Sequence, residues 1–376
     1  MADWPDGIDM EALLAPIAGD APAGSDLRED FSAQSTYYRL RDARAEARAA
    51  ERQADADPEA DFPMPPQWRV VRDLALEALT TKSKDLEVAA WLTEALVRSD
   101  GPRGLAAGAR LIAGLAEAFW DSDLYPVPDE DGIATRVAPV AGLNGVGGDG
   151  TLAQPLRKLA LFRRPDGNVL AFWQFEQSEQ LATVDAARAK QKLAAGVMPL
   201  EAVDGEARAV GQAHFAALRR ALRAASQEWA AMGAMLDARA GMDGPPTSAV
   251  RKLLEDLLAA VSRYAPATED DAADGADAAL PGGAAGEAVG EAGGVVAGGV
   301  VRAVAVVSRE DMLKELGRIA EFFRKTEPQS PLAYTLDEAI RRGRMTWPEL
   351  IVEVVSDATV RDSILVQLGI RPTPPE

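Results

Sequence analysis

The sequence predicts an all-α, multi-domain protein, and three observations carry that reading. Apolar residues recur at three- and four-residue spacing through most of the chain, period-two alternation is confined to one short stretch, and an Ala/Gly/acidic segment separates two helical parts. A length of 376 residues with 47% hydrophobic content allows two or three cores. We expect an N-terminal helical domain over 8–185, a middle helical region over 186–264, a flexible acidic linker over 265–302 and a C-terminal module over 303–376.

Taken in order, the first helix carries Arg39, Arg41, Arg44, Glu46, Arg48, Glu51 and Arg52, a charge run that reads as a solvated face. A surface loop over 53–66 follows, acidic and then rich in proline. From Gln67 a helix places Val70, Val71, Leu74, Ala78 and Leu79 on one face, and a second begins near Ser83, with Asp85 in its first turn and Leu86, Ala89, Ala90 and Leu96 repeating. These two form an antiparallel pair across a short turn. A third helix, Leu105–Trp120, stops at a loop over 121–132 in which Pro126 and Pro128 forbid helix.

The only strands expected are 159–163 and 168–172, joined by Pro165-Asp166-Gly167 into a small β-hairpin. Residues 182–264 return to helix. Leu218, Leu222, Trp229, Met232 and Leu236 mark one stripe, and Val250, Leu253, Leu254, Leu257, Leu258 and Val261 mark another.

Residues 265–300 hold seven acids and no Lys or Arg, a composition that cannot bury enough to fold. Beyond them the punctuation of a four-helix module over 308–370 is strong. Ser308 caps a helix carrying Leu313, Leu316, Ile319, Ala320 and Phe323, which Glu327-Pro328 ends. Ser330-Pro331 opens the next, which ends at Gly343 after Arg341 and Arg342; Thr346-Trp347-Pro348-Glu349 is a capping box for a third; the fourth runs over 358–368 to Gly369.

Composition excludes several functions. With no Cys there is no disulfide, thiol nucleophile or Cys-ligated metal, and a single His214 rules out a site with two His ligands in one chain. His214 sits in an apolar helical context and reads as a helix residue rather than a base. A net charge of −19 opposes nucleic acid and anionic lipid, and the Arg219, Arg220, Arg223 cluster lacks interleaved aromatics. No apolar run approaches the roughly 18–20 residues of a membrane span, and the acidic start Met1-Ala2-Asp3-Trp4 is unlike a signal peptide. The chain is expected to be cytoplasmic, without nucleic-acid partners or membrane insertion.

Two motifs tempt toward ligands. Residues 145–150 satisfy G-x-G-x-x-G, but that fingerprint needs a strand before it and a helix N-terminus after it, whereas Pro139, Gly142 and Pro155 flank this one. Asp129, Glu130 and Asp131 before Gly132 miss the calcium-loop spacing and read as turn and cap residues. No cofactor and no metal are expected. Trp91, Phe119, Trp120, Phe172, Trp173 and Trp229 are expected mostly in the core; gathered at a surface they would form a protein-binding hot spot.

Four N-terminal motifs then become specific through their order and spacing: Leu13 to Ile17, Pro22 to Arg28, Ser83 to Leu92, and Ala118-Phe119-Trp120-Asp121 with Leu124-Tyr125-Pro126 and 131–136. They resemble the ImpA-type N-terminal domain of the TssA family of the type VI secretion system. Ser308-Arg309-Glu310, Ala320 to Phe323 and Thr326 to Pro331 resemble the C-terminal segment of that family, with Gln329 where its members often carry His. The resemblance implies a non-enzymatic scaffold that assembles through its C-terminal region into a homo-oligomeric ring at the baseplate. The implied contacts are baseplate, tube and sheath proteins, together with the membrane complex, during tail assembly. The residues expected to shape the ring module are Phe322, Phe323, Glu327, Pro328, Ser330 and Pro331. In the N-terminal domain they are Asp85, Trp91, Phe119 and Trp120, as core and helix-start residues before partner surface. Two alternatives stand beside this reading: a monomeric helical adaptor that binds another protein, and an enzyme that is nucleotide-dependent or works through paired carboxylates.

Overall fold

The computed structural model describes residues 4–55 and 64–265, apart from 33, 131 and 147. Towards the end of the chain it describes Ala320, Phe323, Arg324, Gln329, 331–345, Leu350, Ile351 and Glu353. Among the described residues there are twelve α-helices and one two-stranded sheet. They are α1 (Met10–Leu14), α2 (Thr36–Asp55), α3 (Gln67–Thr81), α4 (Leu86–Phe119), α5 (Ile133–Asn144), α6 (Ala153–Arg157), β1 (Ala160–Arg163), β2 (Val169–Ala171), α7 (Phe172–Gln180), α8 (Ala186–Ala194), α9 (Leu200–Val210), α10 (Gln212–Ala240), α11 (Ser248–Ser262) and α12 (Leu332–Arg344). The all-α class with one hairpin therefore holds. The chain divides into two units, Met1–Pro281 and Gly282–Glu376.

The first unit is built around α4. Gly101, at φ 56° and ψ −130°, breaks this helix into two arms. A Cβ on Gly104 would lie 2.0 Å from the Leu96 carbonyl oxygen, and one on Gly108 would lie 2.3 Å from Thr93 Oγ1. In a straight helix, residues 93 and 108 would stand about 22 Å apart at 1.5 Å per residue. The arms are thus folded back on each other as a helical hairpin, and glycines on one arm let the backbones approach closely. Pro102 fits here because it stands at the start of the second arm, where its missing N–H has no intrahelical partner.

One continuous apolar core runs from Leu13 to Ala265. α3 buries Trp68, Val71, Leu74, Ala75, Ala78 and Leu79, whereas Val70, expected on that face, points outward. The stripe is centred on Val71 and Leu74, and Val70, about 100° from Val71 around the helix, falls off its edge. α10 packs along α4 and buries Phe215, Leu222, Trp229, Met232 and Leu236. α11 closes on α10, and its third helical N–H, from Val250, donates to Asn144 Oδ1 at the end of α5 (3.0 Å). Helix α5 accommodates both Pro139 and Gly142, the residues that argued against a strand ahead of the Gly-rich loop.

The hairpin pairs Ala160 with Ala171 and Phe162 with Leu170 around a turn in which Gly167 has φ 89°. Phe162 meets Phe215 of α10 edge-on, which seats the sheet on the helical body.

In the second unit α12 buries Ala333 and Ile340 and carries Arg341 and Arg342 in its last turn, as expected, but it runs through Gly343, the expected stop, to Arg344. Residues 56–63 of the expected loop and 266–302 of the expected linker lie outside the described residues. So do the start of the Ser308 helix, the Glu327-Pro328 stop, the Ser330 cap, the Thr346–Glu349 capping box and the helix over 358–368.

The close approach gives a test with two signs. Gly104→Ala forces the arms apart and is expected to cost on the order of 1–3 kcal/mol despite the better helix propensity of Ala. Gly142→Ala, in α5 with nothing within 4 Å of the new methyl, is expected to stabilise by up to about 1 kcal/mol. Urea unfolding midpoints of the two variants read the difference.

Candidate functional site

Three of the matched motifs meet at one place. Lys84 N–H donates to the Ala23 carbonyl (2.7 Å) and Ser25 N–H to the Lys82 carbonyl (3.1 Å). Tyr125 N–H donates to the Lys84 carbonyl (3.0 Å) and Leu86 N–H to the Tyr125 carbonyl (2.8 Å). The segment before α4 is thereby held on both sides by backbone, from 23–25 and from 125. Gly24, at φ 78°, is required there: a Cβ would stand 2.0 Å from the Lys82 carbonyl oxygen.

Within this junction Lys84 and Asp85 are both fully buried. Asp85 is the N-cap of α4, its Oδ1 accepting from the Glu87 (2.8 Å) and Val88 (3.3 Å) amides, while Oδ2 receives Arg28 at 2.7 Å. Arg28 also reaches Glu87 (2.6 Å) and Asp26 (2.9 Å) and lies 4.9 Å over the Tyr37 ring. Burial works against the Arg28 charge, but the Asp85 and Glu87 carboxylates outweigh it and raise its pKa above the ordinary arginine value. Lys84 turns inward instead. Its ammonium donates to the Leu13 carbonyl at the end of α1 (2.8 Å) and to the Leu79 carbonyl near the end of α3 (2.7 Å), over the Phe119 ring at 5.6 Å. It serves unpaired carbonyls at two helix C-termini, where a cation is favoured. Its hydrogen bonds go to carbonyls rather than to a carboxylate, and burial lowers its pKa to about 8.

Aromatic residues extend the junction. Trp91 is 5% exposed, packed on Tyr37 (ring centroids 5.5 Å) beneath Arg44, which forms a two-pronged pair with the buried Glu94. Trp120 is stacked under Arg136, whose guanidinium donates to the Trp120 and Pro126 carbonyls (2.9 and 3.1 Å). Burial lowers the Arg136 pKa. Asp85, Trp91, Phe119 and Trp120 therefore all lie inside the fold. Of the C-terminal candidates, Phe323 is half-buried and Pro331 is exposed, its carbonyl accepting from the Thr335 amide (3.0 Å); Phe322, Glu327, Pro328 and Ser330 lie outside the described residues. Among the aromatic group, Trp173 is the exposed exception.

The charge run on α2 is only half solvated, which corrects the sequence reading. Arg44 meets Glu94, and Glu51 accepts both Trp68 Nε1–H (2.7 Å) and Arg98 (2.6 Å). Periodicity in charge alone does not show that α3 and α4 present opposite charges to it. The Arg219, Arg220, Arg223 cluster is likewise split, since Arg219 is buried and bonds the Ala265 carbonyl.

No group of three or more His, Asp or Glu side chains suited to a metal occurs among the described residues. The loop at 145–150 follows the C-terminus of α5 and precedes the five-residue α6. Cβ atoms on Gly145 and Gly150 would strike the loop's own backbone, 2.1 Å from the Gly148 oxygen and 2.2 Å from the Leu143 oxygen. These glycines serve the turn, and the strand a dinucleotide site requires is not before it. His214, exposed on α10, bonds the Leu161 carbonyl through Nε2 (2.8 Å).

Comparison with known proteins agrees with the motifs. Residues 14–145 match the family described as ImpA, N-terminal, type VI secretion system. Type VI secretion system component TssA1 of Pseudomonas aeruginosa is 30% identical over 356 residues, covering 93% of this chain and 96% of that protein. The chain belongs to the TssA family. A solved TssA structure from Burkholderia cenocepacia, the N-terminal domain including the conserved ImpA_N region, matches with a TM-score of 0.55 and 31% identity over 70% of this chain and 95% of that one. This TssA-family chain is thus a component of the type VI secretion system. No helix among its described residues is long and apolar enough to cross a membrane.

Two substitutions test the junction. Trp91→Ala is expected to cost about 3–5 kcal/mol of unfolding free energy. For Lys84 the sign follows from linkage: unfolded it titrates near its ordinary 10.5, folded at about 8. Between these values the unfolded chain holds the extra proton, so stability contributed by this site rises with pH across the window; below it the burial cost is fully present. The stability difference between the wild type and Lys84→Met is expected to move in favour of the wild type by about 3 kcal/mol between pH 7.5 and 10.5. A difference that stays flat would show that the ammonium is not buried.

Proposed function

We propose that this protein is a non-enzymatic assembly scaffold of the type VI secretion system. It works in the cytoplasm on the apparatus, forms a ring at the baseplate and contacts baseplate, tube and sheath proteins while the tail is built. The ring is assigned to residues 303–376, and partner recruitment to the body that precedes them.

The observation that carries the ring assignment is the pair of exposed apolar side chains flanking the buried Ala333 of α12. Ala333 and Ile340 are buried, while Leu332 and Tyr334 stand 40% and 69% exposed on the same helix. A module this small gains by covering such groups with a neighbouring copy, and a head-to-tail contact repeated around an axis closes a ring. The non-enzymatic assignment is supported by the junction, where the charged and aromatic groups of the matched motifs are engaged with one another and with backbone.

Light scattering behind size exclusion on the full chain, on residues 1–300 and on residues 301–376 tests this. A large discrete oligomer is expected from the full chain and from 301–376, with a small species from 1–300. Tyr334→Glu in the full chain is expected to reduce the mass without lowering helical content. Monomers throughout would favour the adaptor reading.

A further inference from the structure

Helix α8 is a short cationic segment in an acidic chain. Residues 186–200 contain Arg188, Lys190 and Lys192 and no acid, in a protein of net charge −19. α8 is nine residues long with none of them buried. Helices shorter than about 12–15 residues are marginal in water, and in proteins most of their stability comes from packing a face. Asp185 caps α8 through the Ala187 (3.1 Å) and Arg188 (3.0 Å) amides, and Lys192 donates to Gln180 Oε1 at the end of α7 (3.1 Å). The cations are weakly engaged. Among the described residues Arg188 pairs with its own cap residue Asp185 alone, at 3.6 Å with both side chains mostly exposed, and Lys190 has no ion pair.

The other end of the argument is where the acid-only stretch begins. Ala265 closes the described part of this unit, and just before it Tyr264 and Arg263 bond Asp204 of α9 (both 2.8 Å). Glu179 of α7 lies within electrostatic reach of Arg263 and Tyr264, and its neighbour Gln180 is the residue that Lys192 holds. The acid-only stretch thus begins next to residues that feel the charge of α7, the helix whose end Lys192 of α8 bonds. Glu269, Asp270, Asp271, Asp274 and Asp277 follow within the next twelve residues. At 3.3–3.6 Å per residue, a chain from Ala265 reaches up to about 14 Å at Glu269 and about 40 Å at Asp277. Helix α8 itself is about 14 Å long.

We propose that α8 is a docking surface for this chain's own acidic stretch 269–277, with Arg188, Lys190 and Lys192 receiving its carboxylates. Docking shortens the free part of the connection to the last module, and ionic strength or a more acidic competitor releases it. This reading does not depend on the ring.

Tryptic cleavage of the full chain after Arg188, Lys190 and Lys192 tests it, because 265–300 offers trypsin no site of its own. Rates are normalised to tryptic hydrolysis of a free peptide substrate at the same salt concentration. In the wild type at 20 mM NaCl these sites are expected to be cut at least threefold more slowly than at 0.5 M NaCl, where screening acts within a few ångströms. The full-chain variant E269Q/D270N/D271N/D274N/D277N is expected to be cut at the fast rate at both salt concentrations. Equal rates and equal salt dependence in the two proteins would overturn the proposal. Protection that grows with protein concentration would also overturn it, by assigning the docked stretch to a second copy. Protection of the wild type that persists in the amide variant would assign α8 to some other occupant.

Discussion

Everything in the N-terminal body depends on burying two adjacent opposite charges, Lys84 and Asp85, at the entrance to α4. Each is satisfied by a different part of the chain: Asp85 by Arg28 and the first turn of α4, Lys84 by carbonyls at the ends of α1 and α3. A buried ion is tolerated only when its partners are all in place, and removing one partner leaves a desolvated charge. The same dipeptide therefore caps a helix locally and fixes the positions of segments 57 to 71 residues away in sequence. The backbone bonds to 23–25 and 125 complete the arrangement, so correct docking of any one segment favours the others.

The helical class, the hairpin and most core faces were legible because they rest on periodicity, which a single sequence displays directly. The hairpin strands came within a residue or two of their observed ends, and α10 buries the Leu222, Trp229, Met232 and Leu236 stripe. What was not legible is pairing across distance. Asp85 could be read as a helix-start residue, but nothing local joins it to Arg28. Glu51 and Arg44 look solvated until Arg98, Trp68 and Glu94 are brought opposite them. Likewise, Gly104 and Gly108 give no sign in sequence that they admit the other arm of the same helix; only the reversal at Gly101 supplies the reason. Where Pro139 and Gly142 argued only against a strand, the helix α5 that holds them buries Val137, Val140 and Leu143.

The aromatic residues of the matched motifs lie mainly beneath the surface, so those motifs specify a scaffold more than a contact patch. Surface chemistry is carried by other positions: the half-exposed Arg28, Glu87 and Tyr37 above the junction, Trp173 beside the hairpin, and the cationic helix α8.

Helix α2 illustrates what attachment by charge entails. Over twenty residues it buries only Thr36, Leu40 and Ala47, and it meets α3 and α4 chiefly through Arg44–Glu94, Glu51–Arg98 and the Glu51–Trp68 bond. Such a helix can open as a unit while the α4 hairpin stays closed. Its amides would exchange with solvent well before those of α3 or α4. Each opening would bare the Trp68 and Trp91 rings together, turning a sealed wall of the scaffold into a transient apolar cleft.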